Sequence, residues 1–328
     1  MTIIAITTDV NIDILPFLRS IAPTPSYSPY APTERIIDSL RNEIDKSLCT
    51  CAESTTTNRK TAVNALERFF NEALTDKFIT AGTINPDHVK AFERWCLNKG
   101  MKPGYVALHM RCLRSLFNRI NGRGGLLFKN VRTSTCQTEK RAVSEETIRR
   151  LKDLALTLPS DMIARDVFLC CFYGLGIPLI DLLHLRKSQL KDNHITYYRH
   201  KTNRKVRVKV EPELEALLEK YASEESPYLL PFLKSTDRTE SMKEYRRFYR
   251  RYMRALARIS DRLGLDSRLT SYTPRHSWAS IAFRKGVDIN TISQALGHAN
   301  TNITMVYIKG IEDDQLNDAS RIVCDAVN

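Results

Sequence analysis

One short part of the 328-residue sequence alternates between apolar and polar residues in the way a β-strand does. The alternation runs over His194–Arg199 and Lys205–Val210, on either side of Lys201-Thr202-Asn203. Two such runs joined by a short polar connection predict a β-hairpin. Elsewhere the apolar residues recur three and four positions apart, as they do on amphipathic helices. The sequence therefore predicts a mainly α fold with a small β-hairpin or sheet in its second half.

The helical pattern divides the chain into two predicted domains. A bundle of about four helices comes first, and the glycine-rich run Asn121–Gly125 ends its last helix. A proline-rich stretch precedes this bundle, where a disordered leader and an extended arm are both open interpretations. The predicted divisions are an N-terminal arm over 1–34, a helical domain over 35–125, a linker over 126–142, a second domain over 143–310 and a C-terminal tail over 311–328.

The formal charge of +13 and the pI of about 9.4 favour a polyanionic partner, most commonly DNA. No stretch approaches the roughly 20 apolar residues that a membrane span needs, and the N-terminus lacks the basic start of a signal peptide. The eight cysteines form no CxxC pair, so neither zinc nor disulfides are indicated. These features predict a protein of the reducing cytoplasm with no membrane contact.

The segment from Leu269 to Tyr307 concentrates residues suited to phosphoryl transfer. Arg275 and His276 stand together at the head of an apolar-periodic run, His298 follows in a Leu-Gly-His turn, and the tyrosine comes nine residues later. An arginine is always protonated and binds two phosphate oxygens together. A phenol oxygen can attack phosphorus, although its proton titrates near 10 and needs help to leave.

This segment resembles the catalytic domain of the tyrosine recombinases, the phage integrase family, whose pattern is His-x-x-Arg, Leu-Gly-His and a tyrosine nine residues on. Thr304 also falls at the family spacing. The likeness extends over about residues 36–310 and is strongest over 269–307. It implies a two-domain clamp with a helical core-binding domain and a mixed α/β catalytic domain. It also implies DNA cutting and rejoining through a 3′-phosphotyrosine, without metal or cofactor.

The resemblance assigns roles to individual residues. Tyr307 is the expected nucleophile, Arg275 the phosphate clamp, His298 a hydrogen-bond donor to the phosphate and Lys201 the general acid. Tyr272 stands where the family has the histidine of His-x-x-Arg, and its phenol can donate a hydrogen bond but is no base near neutral pH. The complete predicted catalytic set is Tyr307, Arg275, His298, Lys201, His276 and Tyr272.

The first catalytic arginine of the family is missing. Depending on how the segments are aligned, its position falls on Gly176 or Pro178, while Asp181 matches the acidic residue that follows and is expected to orient its neighbours. Loss of one positioned electrostatic donor typically costs about 2.7–4 kcal/mol. We therefore hypothesise that Arg165 or Arg186, which flank the segment, replaces it.

Basic residues beyond this set are expected to contact the DNA backbone. They come from the fourth predicted helix, the linker, the hairpin and the long basic helix over Met242–Leu263, and for the helical ones a merely solvated face is the alternative. The predicted DNA-binding residues are Arg111, Arg114, Lys140, Arg141, Arg199 and Arg250. Within the hairpin, Lys201 is preferred over Arg199 and Lys205 as the catalytic residue.

Three functions are compatible with the sequence. The first is a recombinase of a prokaryotic mobile element that integrates, excises or inverts DNA as a homotetramer on a specific double-stranded site, with or without accessory DNA-bending proteins. The second is a DNA-binding protein that keeps the fold but is catalytically impaired. The third is a DNA-relaxing or hairpin-resolving enzyme with the same tyrosine chemistry. The C-terminal tail is expected to dock on a neighbouring protomer or to pack on its own domain.

Overall fold

The computed structural model describes residues 34–48, 50–74, 78–134, 142–298, 300–305, 321 and 324–325. The chain divides into two compact units, Met1–Thr138 and Glu139–Asn328. Within the described ranges helices dominate both units, and one three-stranded sheet lies in the second. The predicted fold class is thereby confirmed. Most of the predicted arm and tail, together with Lys140, Arg141 and Tyr307, lies outside the described residues.

Helices that meet in one apolar core build the first unit. Their described members are α1 (Ile36–Lys46), α2 (Glu53–Ala73), α3 (Pro86–Asn98), α4 (Pro103–Asn121) and α5 (Gly124–Leu127). The side chains of Phe69, Phe92 and Phe117 are fully buried in this core, and each contributes on the order of 1.5–3 kcal/mol by leaving water.

The helix ends in this unit follow from particular residues. The side chain of Asn85 accepts hydrogen bonds from the backbone N–H groups of Asp87 and His88, which caps α3 behind Pro86. Helix α4 ends at Gly122, whose φ of 70° is the left-handed conformation that glycine adopts without strain.

The helical unit extends beyond the predicted boundary at residue 125. The chain turns back through α5 and buries Leu127 and Phe128 in the core of this unit. The Phe128 ring lies 5.7 Å from that of Phe117. The glycine-rich run therefore bends the chain and does not begin the linker, because two apolar side chains after it still find the core.

Helices and a small sheet together form the second unit. Its described helices are α6 (Glu145–Asp153), α7 (Pro159–Tyr173), α8 (Leu179–Leu183), α9 (Pro212–Lys220), α10 (Arg238–Leu263), α11 (Thr273–Arg284), α12 (Ile289–Ala295) and α13 (Thr301–Met305). Burial in α7 raises the pKa of the Cys170 thiol to about 12, so this cysteine packs as a small apolar side chain. Among the described helices, none is both long and apolar enough to cross a lipid bilayer.

The antiparallel sheet presents one face to the core. Its strands, in spatial order, are β1 (Leu190–Lys191), β2 (His194–Tyr198) and β3 (Lys205–Lys209). Tyr197 pairs with Val206, and both side chains are buried. The backbone N–H of Arg199 donates to the carbonyl of Arg204 at 2.9 Å, which closes the hairpin and leaves Lys201 exposed at its tip.

Candidate active site

Helix α11 carries Arg275 in its first turn and buries it. The turn ahead of the helix is closed by Thr273, whose Oγ1 accepts the N–H of Thr270 at 2.9 Å. The side chain of Arg275 is buried. Its Nη1 donates to the carbonyl of Gly176 at 2.9 Å, and its Nη2 donates to the carbonyl of Leu296. A guanidinium is thus held in one orientation by two main-chain oxygens.

His298 follows Gly297, whose φ of 62° turns the chain after α12. Its Nε2 lies 2.9 Å from Nη2 of Arg275, and its Nδ1 lies 2.8 Å from Oγ1 of Thr304. A guanidinium only donates, so its partner Nε2 accepts and Nδ1 carries the proton directed to the threonine. Burial, followed by the positive charges of Arg275 and Arg199, lowers the pKa of His298 to about 3. The imidazole is therefore neutral at physiological pH.

Arg199 is buried beside this pair. Its Nε donates to Oδ2 of Asp181 at 2.9 Å, and the other oxygen of that carboxylate accepts the backbone N–H of His200 at 2.9 Å. Its Nη1 donates to the carbonyl of Leu296, the same oxygen that Arg275 contacts. Sequence reasoning grouped Arg199 with the DNA-contacting residues, whereas the structure joins two guanidinium groups at one carbonyl.

The loop before α8 touches Arg275 through its backbone. Gly176 has a φ of 69°, and a Cβ at this position would stand 2.8 Å from the Cα of Arg275. Pro178 directly precedes α8 as its N-cap residue. A side chain at position 176 would collide with the site, so an arginine cannot occupy it in this conformation.

The two arginines proposed to replace the missing one have other partners. Nε of Arg165 lies 3.0 Å from Oδ1 of Asp166, and its Nη1 donates to the carbonyl of Leu154 at 3.1 Å. Arg186 is exposed and forms a backbone bridge with Tyr228. Neither is hydrogen-bonded to Arg275 or His298, so the contacts do not support that hypothesis.

The other predicted catalytic residues lie toward the surface or outside the described part. Lys201 is exposed, as is Tyr272, whose ring centroid lies 6.2 Å from that of half-buried His276. Tyr307 is not among the described residues. In the part of the chain that the structure describes, no three His, Cys, Asp or Glu side chains are grouped so as to hold a metal ion.

Sequence reasoning missed two groups in this site. Nη1 of Arg204 donates to the carbonyl of His298 at 2.8 Å, and the carbonyl of Leu296 joins Arg199 to Arg275. Arg204 and His298 are 94 positions apart in the sequence, and Arg199 and Leu296 are 97 apart. The predicted hairpin could have pointed to these contacts. Its closing pair, Arg199 and Arg204, lies at the end of the sheet, where both arginines can contact a segment packed against that end.

Residues 141–312, more than half of the chain, match the sequence model of the phage integrase family. The chain belongs to the phage integrase family. The tyrosine recombinase XerA of Thermococcus kodakarensis is 30% identical over 175 residues, which cover 52% of this chain and 58% of XerA. The tyrosine recombinase XerD of Listeria monocytogenes is 22% identical over 243 residues, or 71% of this chain and 81% of XerD. The first alignment therefore spans little more than half of that relative.

Solved structures share the integrase fold at low sequence identity. A lambda integrase dimer bound to a COC′ core site has a TM-score of 0.60 at 16% identity, over 83% of this chain and 95% of that one. The Tn1549 transposon integrase in complex with a circular intermediate DNA has a TM-score of 0.62 at 13% identity, over 88% and 99% of the two chains. At these identities the likeness concerns the fold alone.

The predicted DNA-contacting arginines of this integrase family member differ in their surroundings. Arg111 and Arg114 reach the backbone and the hydroxyl of Thr133 at 2.9 and 3.3 Å, respectively. Arg250 lies on α10 and lines an open cleft of about 570 Å³ in the second unit. The residues around this basic cleft are Phe232, Lys234, Glu244, Arg247, Arg250, Arg251 and Arg254.

Proposed function

We propose that this chain is a site-specific DNA recombinase that cuts and rejoins DNA through a 3′-phosphotyrosine intermediate, and so integrates, excises or inverts a DNA segment. The observation that carries the proposal is the buried contact between Arg275 and His298, with Arg199 joined to it through the carbonyl of Leu296. Membership of the integrase family supports the same reaction class, as do fold neighbours solved with DNA.

The electrostatics of this group suit an anion. Fixed donors aimed at a developing negative charge stabilise a transition state most when water is excluded. Arg275 and Arg199 are both buried, and their positive charges contribute to the low pKa of His298. The potential that disfavours a proton on this imidazole favours a phosphate beside it.

Arrival of the phosphate changes the hydrogen bonds of His298. In the structure Nε2 accepts from Arg275. Phosphate oxygens are better acceptors for the guanidinium, because the bond is then charge-assisted on both sides. The phosphate charge also raises the pKa of the histidine, so that Nε2 gains a proton and donates to a non-bridging oxygen.

The reaction then proceeds in two transfers. The Tyr307 phenol loses its proton to water, its oxygen attacks the phosphorus, the bond to the 5′ oxygen breaks, and Lys201 gives that oxygen a proton that it later regains from water. A 5′-hydroxyl of a partner strand later attacks the phosphotyrosine, and the phenol oxygen leaves and regains a proton. A positioned general acid contributes typically 10²- to 10⁴-fold. The phenol of Tyr272 donates to the second non-bridging oxygen.

The partners follow from strand exchange. Two duplexes need two cuts each, so the active assembly is a homotetramer on a specific double-stranded site, with accessory DNA-bending proteins where the site requires bending. The formal charge of +13 and the basic cleft on α10 support binding to the DNA backbone. No cofactor takes part.

Covalent adduct formation tests the proposal. The full chain is incubated with fragmented DNA of its source genome, the mixture is denatured, and protein-linked DNA is isolated and sequenced. A nicked oligonucleotide carrying the recovered site should then give an adduct on a denaturing gel. Tyr307→Phe should abolish the adduct, while Tyr198→Phe, which changes an exposed strand tyrosine, should leave it unchanged. A chain that yields no adduct would contradict the proposal.

One observation favours a second candidate function. Neither Gly176 nor Pro178 supplies the family's first arginine, a side chain at 176 would meet Arg275, and Tyr272 stands where the family has a histidine. A catalytically impaired protein that binds a specific DNA site is therefore the alternative. Selective retention of one DNA sequence, without an adduct under any condition, would identify that protein.

A further inference from the structure

The phosphate site lacks the guanidinium that the loop before α8 would carry in the family pattern. Positions 176 and 178 hold a glycine and a proline, and a side chain at 176 would meet Arg275. Arg165 is bound to Asp166 and to the carbonyl of Leu154. A replacement must come from another element that places a guanidinium close to that of Arg275.

The β-hairpin places Arg199, one residue of its closing pair, close to Arg275. Nη1 of Arg199 and Nη2 of Arg275 donate to one oxygen, the carbonyl of Leu296. Two donors on one acceptor are separated by no more than about twice a hydrogen-bond length, roughly 6 Å. One phosphate group can therefore be reached from both guanidinium groups.

The side chain of Arg199 is held in place on both sides. Asp181 binds its Nε at 2.9 Å, and the backbone of Gly297 lies close to its Cγ, since a Cβ built on that glycine would stand only 3.3 Å away. The Asp181 carboxylate binds Nε of Arg199, and the Leu296 carbonyl binds Nη1. Nη2 has no hydrogen-bond partner among the described residues. Hydrogen bonds from Nε and Nη1 orient the guanidinium, and Nη2 can donate to a ligand.

We propose that Arg199 supplies the second guanidinium of the phosphate site and replaces the arginine absent from the loop at 174–178. Asp181 orients it, and the carbonyl of Leu296 occupies its donor until DNA binds. This inference rests on the proposed recombinase function. It assigns to the hairpin two roles in cleavage, a buried cation at its base and an exposed lysine at its tip.

The test compares two versions of the nicked substrate recovered by adduct sequencing. One carries the ordinary scissile phosphodiester, and the other a methylphosphonate, in which a methyl group replaces one non-bridging oxygen and removes the negative charge. Arg199→Gln keeps an amide that can donate to Asp181. We expect this variant to cleave the phosphodiester on the order of 10²- to 10³-fold more slowly than wild type. On the neutral methylphosphonate it should come within a few-fold of wild type.

The control is Arg262→Gln, which removes an exposed arginine from the last turn of α10. It should match wild type on both substrates. DNA affinity and thermal midpoint are measured for every variant. If Arg199→Gln fails to fold, Asp181→Asn/Arg199→Gln takes its place, because it leaves no buried carboxylate without its partner.

The outcomes separate the two hypotheses. An equal loss on both substrates would mean that Arg199 only supports the fold, and an unchanged rate on the phosphodiester would mean that it has no part in cleavage; either result overturns the inference alone. A wild-type protein without adduct on either substrate overturns the proposed function, and the inference with it.

Discussion

At the scale of single residues, His298 shows how a site can set the role of a titratable group. Its ring is buried, accepts from Arg275 and donates to Thr304. Burial and the two neighbouring cations lower its pKa to about 3. An imidazole in this state is neutral, with Nε2 as an acceptor, so Nε2 must gain a proton before it can donate to a phosphate.

The low pKa of His298 predicts how stability depends on pH. In the unfolded chain the imidazole has its ordinary pKa near 6.5. Between that value and about 3, the unfolded chain binds a proton that the folded protein does not, so stability falls as the pH falls through this window. At pH 5 the loss is about 2 kcal/mol. His298→Gln should lack this loss, measured as the change in thermal midpoint between pH 7 and pH 5.

The comparison contains its own control. Between pH 7 and pH 8 the folded and unfolded imidazoles are both largely neutral, so wild type and His298→Gln should respond alike there. An equal fall in the midpoints of the two proteins at pH 5 would show that other groups govern the acid response.

At the scale of elements, the site depends on the close approach of a loop to a helix. The backbone at Gly176 lies against the Cα of Arg275, and its carbonyl accepts from the same arginine. The Gly176 carbonyl binds Nη1 of the guanidinium, and the Leu296 carbonyl, in the turn after α12, binds Nη2. The first turn of α11 is therefore fixed by main chain on two sides.

Gly176→Ala should disturb this contact. The new Cβ meets the Cα of Arg275 at 2.8 Å, and the φ of 69° is unfavourable for alanine. Strain of this kind costs on the order of 1–3 kcal/mol, and the displaced Arg275 should also slow adduct formation. Gly286→Ala is the matched control, because its φ is 80° but nothing lies within 4 Å.

The two variants should therefore differ in one respect. Both should lower the thermal midpoint, and only Gly176→Ala should reduce the rate of adduct formation on the nicked site. Equal rates in the two variants would mean that the loop does not position the arginine.

The β-hairpin predicts a second effect at this scale. Lys201 is exposed at the tip, so Lys201→Gln should leave the thermal midpoint unchanged and slow cleavage by about 10²-fold or more if the lysine is the general acid. A substrate with sulfur in place of the bridging 5′ oxygen should restore the rate, because a thiolate leaves without a proton. Lys205→Gln, at the start of β3, is the control. A defect that persists on the sulfur substrate would exclude this role.

At the scale of the whole molecule, the excess of positive charge is partly concentrated on one helix. Arg247, Arg250, Arg251 and Arg254 of α10 border one open cleft with Lys234. Each arginine that neutralises a DNA phosphate contributes to the salt dependence of binding.

Arg250→Gln/Arg254→Gln should weaken DNA binding and reduce its dependence on salt. The slope of log K against log[salt] is negative, and each lost phosphate contact reduces its magnitude by about 0.9. Fluorescence anisotropy with a short duplex at several salt concentrations measures both quantities. Arg262→Gln on the same helix should keep the wild-type slope. An unchanged slope in the double variant would place the DNA elsewhere.

The helices and the hairpin could be predicted because their patterns are local. The four apolar positions in α1 and the alternation in β2 and β3 already indicate which face is buried. The place of Arg199 could not be read in this way, since it depends on a contact with residue 296, which is 97 positions away. The boundary at 125 failed for a related reason, because the burial of Leu127 and Phe128 is decided by the helices around them.

The carbonyl of Leu296 has a consequence for how such a site can change over time. It belongs to the main chain, so no amino-acid substitution removes the oxygen itself, and substitutions at residue 296 that preserve the backbone path keep the acceptor. Two cations therefore retain a common neutral ligand while side chains around them vary. A site built on such an oxygen can lose one arginine and gain another from a different element without passing through a stage in which the remaining cation has nothing to hold it in place.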